Sequence, residues 1–409
     1  MASAHKPRLA VVTPFLDPSH GTERIVCEWI EQLAEKFEIH VYSQDVRGCD
    51  RSKFTWHRIP KLPGPHLLNY LWWFGANHAW RWFDKTFRGR HYDLLFSPGI
   101  NCADADVVSV HIVFAEYAQK NAEKLRLTGH ALREWPRMIH RKIYYKLIIS
   151  LERRIYTRPD TALVLVARKT SEQLARFYGR NDAFPVVYAG IDLEKFNAEK
   201  RARLRAEARK ELGLADDAFA ALLIGNDWRN KGVPALLDAL ALLRDRQIHA
   251  LIVSREDSAA VRAMARKRNL EGRVQVLPPR LDVEFYYAAA DAYAGPSLED
   301  SFSMPVAEAM ACGLPVIASE AAGVSEIISD GVDGLILQNP ADAKALAASV
   351  RRICDDAELR AGLGARASRM AQQYTWERSG REMSAILDEA LQRKMRHAGE
   401  PLAQKSDAA

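Results

Sequence analysis

Cysteine is scarce, with five in 409 residues. Cys27, Cys49, Cys102, Cys312 and Cys354 lie far apart, with no C-x-x-C pair and no zinc-ligand spacing. This excludes a disulfide-stapled scaffold and a zinc finger, and the thiols are expected to be reduced, as in a cytosolic protein. No run of about 18 apolar residues occurs, so no membrane-spanning helix is expected. The opening Met-Ala-Ser-Ala-His-Lys-Pro-Arg runs directly into a strand-like segment, so no signal peptide is expected. An excess of one charge is also lacking. A net +6 over this length argues against nucleic acid and fits a small acidic substrate or an anionic surface. There is no G-x-G-x-x-G and no Walker A sequence, which counts against a dehydrogenase and a P-loop NTPase. Short repeats and low-complexity segments are missing as well.

Present instead are short apolar runs alternating with helical periods. Residues 9–13 read as a strand, 14–24 as a loop with the single glycine Gly21, 25–37 as a helix and 38–43 as the next strand. Further strands are read at 94–97, 107–111 and 162–166. The alternation restarts after 186–190, with strands at 221–224, 250–253, 274–277, 292–294, 316–318 and 335–337 and helices at 233–245 and 259–269. Two successive α/β runs imply two Rossmann-like domains, and ligands bind at the carboxyl ends of strands in such folds. The tail after Arg396, small and polar, is expected to be disordered.

One stretch concentrates the chemistry, LEDSFSMPVAEAMACGLPVIAS at 298–319. Ser303 reads as a helix N-cap, Pro305 fits the first turn, Gly313 fits the position just past the helix, and Pro315 stops it. The loop from Asp300 through Ser301 and Phe302 to Ser303 then opens onto a helix N-terminus, which attracts anions such as phosphate. Glu308, one turn inside, would repel a phosphate and suits a ribose diol better. An ordinary strand–helix crossover with two solvated acids reads the same way.

Other clusters stand out. IGNDWRNKGV at 224–233 leaves a strand with Arg229 and Lys231 in the turn, two cations able to neutralise a diphosphate or to form a solvated basic turn. His111 ends the strand VVSVHIVF, as a ligand-facing or a structural histidine. Asp104-Ala-Asp106 has the D-x-D form that holds a metal in some transferases, but it stands without further acids and reads as a turn. Trp56, Trp72, Trp73, Trp80 and Trp82 lie among basic residues, and 138–158 is a second basic, aromatic, apolar stretch. Both suit a membrane surface, or core aromatics beneath a solvated basic face.

Together these pieces resemble the retaining nucleotide-sugar glycosyltransferases of family 4. Pro296-Ser297, Asp300, Phe302, Glu308, Ala309-Met310-Ala311, Gly313 and Pro315-Val316 match that family's paired-acid motif. VVYAGIDLEKF (186–196), IGNDWRNKG, AAGVSEIISDGVDGLIL (321–337) and YTWERSG (374–380) are similar to its other segments, in order. The resemblance implies a GT-B fold, two Rossmann-like doubly wound α/β domains facing a central cleft. It would place an acceptor domain at 1–185, a donor domain at 186–375, a helix at 376–395 crossing back to the first domain, and a disordered tail at 396–409.

The implied roles are specific. Glu308 would hold the donor ribose, and Asp300 with Ser301, Phe302 and Ser303 the donor sugar. Lys231, helped by Arg229 and near Asn226, would carry the leaving diphosphate. Gly21 would let a first-domain loop approach the donor, and His111 would sit by the reacting sugar. No cofactor and no metal are implied, since fixed cations and helix dipoles can stabilise the leaving diphosphate. The acceptor would be a glycan or lipid-linked, as in cell-surface polysaccharide or lipopolysaccharide assembly. The location would be cytoplasmic, with peripheral contact at the inner face of the membrane through the basic aromatic helices. A sugar-nucleotide epimerase, a phosphorylase and a non-catalytic sugar-nucleotide or glycan-binding protein are the alternatives. The departures are Asp300 for the usual glutamate, Ser301 and Ser303 for the glycines of G-F-G, Asn226 for an arginine, and Gly21-Thr22 for Gly-Gly.

Overall fold

Runs of Val, Leu, Ile and Ala too short for helices become strands here, buried on both faces as parallel sheets require. The computed structural model describes residues 6–120, 122, 133, 135–244 and 247–399. The chain divides into two units, Met1–Tyr188 with Glu377–Ala409, and Ala189–Trp376.

The first unit carries β1 (Arg8–Val12), β2 (Phe15–Leu16), β3 (Glu38–Ser43), β4 (Asp45–Val46), β5 (Thr55–Arg58), β6 (Leu94–Pro98), β7 (Val107–Val110) and β8 (Ala162–Leu165). Its helices are α1 (Gly21–Leu33), α2 (His66–Arg88), α3 (Phe114–Lys120), α4 (Trp135–Tyr156) and α5 (Lys169–Tyr178). Six strands form one parallel sheet in the order β5-β3-β1-β6-β7-β8, and β2 pairs separately with β4. The chain winds outward from β1 to β5, then returns to the other side of β1 at β6. Its core joins Val12, Tyr42, Trp73, Val108 and Leu165.

The second unit follows with α6 (Ala198–Glu211), β9 (Phe219–Ile224), α7 (Val233–Leu242), β10 (Ile248–Val253), α8 (Ser258–Arg266), β11 (Val274–Leu277) and α9 (Glu284–Ala289). Then come β12 (Ala292–Gly295), α10 (Met304–Ala311), β13 (Val316–Ser319), β14 (Leu335–Leu337), α11 (Ala343–Asp355) and α12 (Ala357–Ala371). The parallel sheet runs β11-β10-β9-β12-β13-β14, so the winding reverses between β9 and β12. Leu223, Leu236, Ile252, Ile317 and Leu346 lie in its core.

The last helix, α13 (Trp376–Gly399), belongs to the first unit except for its first residue. Trp29 Nε1 donates to Ser379 Oγ at 2.8 Å, and Ser379 Oγ donates to the Tyr188 carbonyl at 2.8 Å. Met383 and Leu387 are fully buried. A Cβ on Gly380 would lie 2.5 Å from Gln32 Cβ, so glycine is what lets α13 approach α1. The helix continues to Gly399, beyond the Arg396 at which composition placed a disordered tail; the remaining tail lies outside the described residues.

The expectation of five reduced thiols is corrected. Cys27 on α1 is disulfide-bonded to Cys49, with Cα atoms 6.1 Å apart, while Cys102, Cys312 and Cys354 are free. Their 22-residue separation carries no pairing signal, because the contact depends on how the loop after β4 returns to α1. Among the described residues, no helix is long and apolar enough to cross a membrane.

Candidate functional site

The second unit's winding reversal leaves two neighbouring strand ends open, and a crevice forms where adjacent strands lead their chains apart. One is the β9–α7 turn, the other the β12–α10 loop. They are stapled together: Leu298 N donates to the Asn230 carbonyl at 2.7 Å, and Asn230 Nδ2 donates to the Glu299 carbonyl at 2.8 Å. Gly232 makes the approach possible. Its φ is +79°, and a Cβ there would lie 2.0 Å from the Pro296 carbonyl oxygen.

The turn delivers Lys231 to the loop. Lys231 Nζ donates to Asp300 Oδ2 at 2.5 Å, and both side chains are mostly buried. Gly225 clears the path for the lysine stem, since a Cβ there would meet Lys231 Cγ and Cε at 2.8 Å. The loop is braced from its other side. Gly323 N donates to the Asp300 carbonyl at 3.1 Å, and Val324 N to the Phe302 carbonyl at 2.7 Å. Phe302 is buried beneath it.

Ser303 stands at the N-cap of α10 as the spacing predicts, but not as a side-chain cap. Its backbone is left-handed, φ 77° and ψ 68°, and its hydroxyl makes no capping bond. Glu308 follows one turn later and is buried. Tyr287 Oη donates to Glu308 Oε2 at 2.7 Å and to the Pro305 carbonyl at 3.2 Å. Burial, reinforced by the Glu308 carboxylate, pushes the Tyr287 phenol well above its usual range, so it remains a donor. The structure thus brings Lys231, Asp300, Ser301, Phe302 and Ser303 into one loop cluster, with Glu308 on the helix it opens.

Arg229 and Asn226 are placed differently. The Arg229 guanidinium stacks over the Trp228 ring at 4.4 Å and is exposed. Asn226 Oδ1 accepts from Arg255 N at 3.1 Å, tying the turn to the end of β10. Tyr287, Gly225 and Asn230 are participants that sequence reasoning missed. Gly225, directly after a strand, carried some signal; Tyr287, inside an apolar helix, carried none.

Two predicted residues lie in the first unit. Gly21 is the first residue of α1, exposed, with open space where a Cβ would go. His111 follows β7 and is buried. Its Nε2 lies 3.0 Å from Ser109 Oγ, and its buried Nδ1 has no hydrogen-bond partner. Burial lowers its pKa to about 4, so the ring is neutral at physiological pH. Asp104 and Asp106 are engaged in ion pairs: Asp104 with Arg81 at 2.7 Å and His78 at 3.2 Å, and Asp106 with Lys394 at 2.8 Å.

Two doubly wound units, each with a reversal of strand order, place the chain among two-domain Rossmann-like α/β folds. The likeness to solved structures agrees. WaaG, a glycosyltransferase involved in lipopolysaccharide biosynthesis, superposes with a TM-score of 0.74 at 21% identity, over 92% of this chain and 99% of that one. HepE of Anabaena, solved in complex with UDP-glucose, gives a TM-score of 0.70 at 19% identity, over 93% and 99%. At such identities the shared feature is the GT-B fold.

Family comparisons go further. A family described as glycosyl transferases group 1 matches residues 205–370, and glycosyltransferase family 4 matches 19–195. Residues 205–370 are thus similar to the group 1 glycosyltransferases and residues 19–195 to glycosyltransferase family 4, so the two matches follow one another along the chain. A D-inositol 3-phosphate glycosyltransferase of Xylanimonas cellulosilytica is 32% identical over 243 residues, which is 57% of this chain and 58% of that protein. The chain thus spans less than two thirds of the curated relative it matches.

Proposed function

We propose that this chain transfers a sugar from a nucleotide-sugar donor to a glycan or lipid-linked acceptor, with retention of anomeric configuration and without a metal. The observation that carries the reading is the pairing of Lys231 with Asp300 at 2.5 Å on the switch-point loops, with the buried Glu308 one turn into the helix that the loop opens. An arriving diphosphate competes with Asp300 for the Lys231 ammonium. Asp300, released, is free to accept hydroxyls of the donor sugar, and Glu308 accepts those of the ribose. Arg229 swings from Trp228 to add a second positive charge.

In this reading no carboxylate acts as a nucleophile. The acceptor oxygen bonds to the anomeric carbon on the face that the diphosphate leaves. The departing phosphate oxygen takes the acceptor's hydroxyl proton, so the step balances without another base. Lys231 and the α10 N-terminus stabilise the charge growing on that phosphate. The same reading assigns Gly21 and His111 to the donor as well, His111 as a neutral hydrogen-bonding ring. Cell-surface polysaccharide or lipopolysaccharide assembly is the setting we favour, supported by WaaG. A cytoplasmic location with contact at the inner membrane face through α2 and α4 belongs to the same reading.

The test is thermal unfolding in EDTA with UDP, GDP, ADP, CMP and their sugar conjugates. A ligand at about a hundred times its Kd adds about 2.7 kcal/mol. One nucleotide series should raise Tm in the wild type and fail to do so in Lys231→Ala and Glu308→Ala. No response to any nucleotide would refute the donor site. A response without turnover on any acceptor would leave a binding protein.

A further inference from the structure

Helix α2 turns an apolar face outward. Leu68, Leu71, Trp72, Trp82, Phe83 and Phe87 are exposed, from 37% at Trp72 to 65% at Phe87. Spacings of three and four put them on one side of the helix. The positions between them on that side are Gly75, Ala79 and Thr86, all exposed, so no charge interrupts the stripe. The stripe rises over roughly 28 Å. Its aromatic end is clustered, with Phe87 5.0 Å from Phe83 and 5.8 Å from Trp82 between ring centroids.

A polar pocket adjoins that end. It has a volume of about 450 Å³, and Trp82 lines it. Arg81, Lys85, Arg90 and Lys394 also line it, against Asp104 and Asp106. Arg81 is fixed by both Asp104 oxygens, at 2.7 and 2.8 Å, and Lys394 by Asp106. Lys85, exposed, has no ion-pair partner among the described residues. Arg90 is paired with Asp84, at 3.2 Å, so Lys85 is the unpaired cation among these four, beside exposed tryptophan and phenylalanine. It sits at the start of β6 and β7, the opposite end of β7 from His111.

We propose that the outward face of α2 and this pocket form one membrane-docking surface, with the aromatic stripe in the interface of an anionic bilayer and a lipid phosphate ester in the pocket. This rests on the membrane-facing reading of the first unit and supplies its residues and ligand. Aromatic and aliphatic side chains on one helix face with cations along its border are the composition of an interfacial helix. Anionic headgroups supply the counter-charge that Lys85 lacks.

The test is co-sedimentation of the full chain with vesicles of phosphatidylglycerol and phosphatidylcholine, against phosphatidylcholine alone. Binding should need the anionic lipid and weaken with salt. Lys85→Glu and the double variant Trp82→Ser, Phe87→Ser should each lower partitioning by about tenfold. Both should keep wild-type melting curves and nucleotide-induced shifts, which separates this surface from the donor site. Binding of soluble glycerol 3-phosphate without vesicle binding would overturn the bilayer as its source. Absence of binding to either, or variants that bind vesicles like the wild type, would overturn the proposal. So would a dimer in light scattering that Trp82→Ser dissolves, since the stripe would then cover a second copy.

Discussion

Ser303 occupies a backbone conformation that its side chain disfavours. At φ 77° an L-residue crowds its Cβ against the following carbonyl, at a cost of roughly 1–2 kcal/mol that glycine escapes. Part of that gain is offset by the larger freedom of glycine in the unfolded chain. Ser303→Gly should therefore stabilise the second unit by about 1 kcal/mol, raising its Tm by about 2–4 °C. A melting curve decides it, and a lower Tm would show that the Ser303 hydroxyl holds the loop. The motif's residue types were legible in the sequence because acids, Gly and Pro stand at fixed offsets. The left-handed turn at Ser303 was not, because serine at an N-cap ordinarily signals an extended residue whose oxygen caps the helix. Nor was Tyr287's hold on Glu308, since nothing local links two residues from separate helices.

At the scale of elements, Glu152 shows how one helix starts another. From α4 its carboxylate accepts Phe114 N at 2.6 Å, Ala115 N at 3.1 Å and Tyr178 Oη at 2.5 Å, supplying the cap at the start of α3 three residues after His111. Burial raises its pKa to about 7, against the lowering effect of those donors. The folded state thus holds the proton more tightly than the unfolded chain. Its contribution is full below the unfolded value near 4.5 and is lost as pH rises through about 7. Wild-type Tm should fall between pH 5 and 8, by an effect on the order of 2–3 kcal/mol. In Glu152→Gln the fall should flatten, and equal slopes in the two profiles would assign the titration elsewhere. Element legibility followed burial. β10 and β13 are apolar and sealed on both faces, so composition revealed them. The strand β5, Thr-Trp-His-Arg at a sheet edge, has no such run. Helix α6 has nine charged residues in fourteen, and its apolar ones are four alanines and Leu204. It docks through Arg201, Arg205 and Arg209, one per turn, onto the carbonyls of Ala288, Ala289 and Ala290 and onto Asp291. Arginines replace the apolar stripe that reading by hydrophobic period requires.

At the scale of the molecule, the first unit is assembled from both ends of the chain, with α13 closing over Trp29. Met383 and Leu387 are fully buried, each contributing about 1.5–3 kcal/mol on burial. A chain ending at Trp376 should lose roughly 3–6 kcal/mol from the first unit. Calorimetry should show a lower first-unit transition, while the nucleotide-induced shift of the second unit stays. A first unit melting unchanged would contradict the assignment of α13. The same arrangement bears on how the protein is made. A ribosome releases Ala189–Trp376 as one continuous stretch, and that unit can complete its sheet while the last helix is still being synthesised. The earlier-made half must wait, its binding place for α13 open, until translation has passed α13. Closure of the first unit therefore reports that translation has passed α13, and chains terminated before it carry a finished second unit beside an unfinished first one, marked for aggregation or degradation.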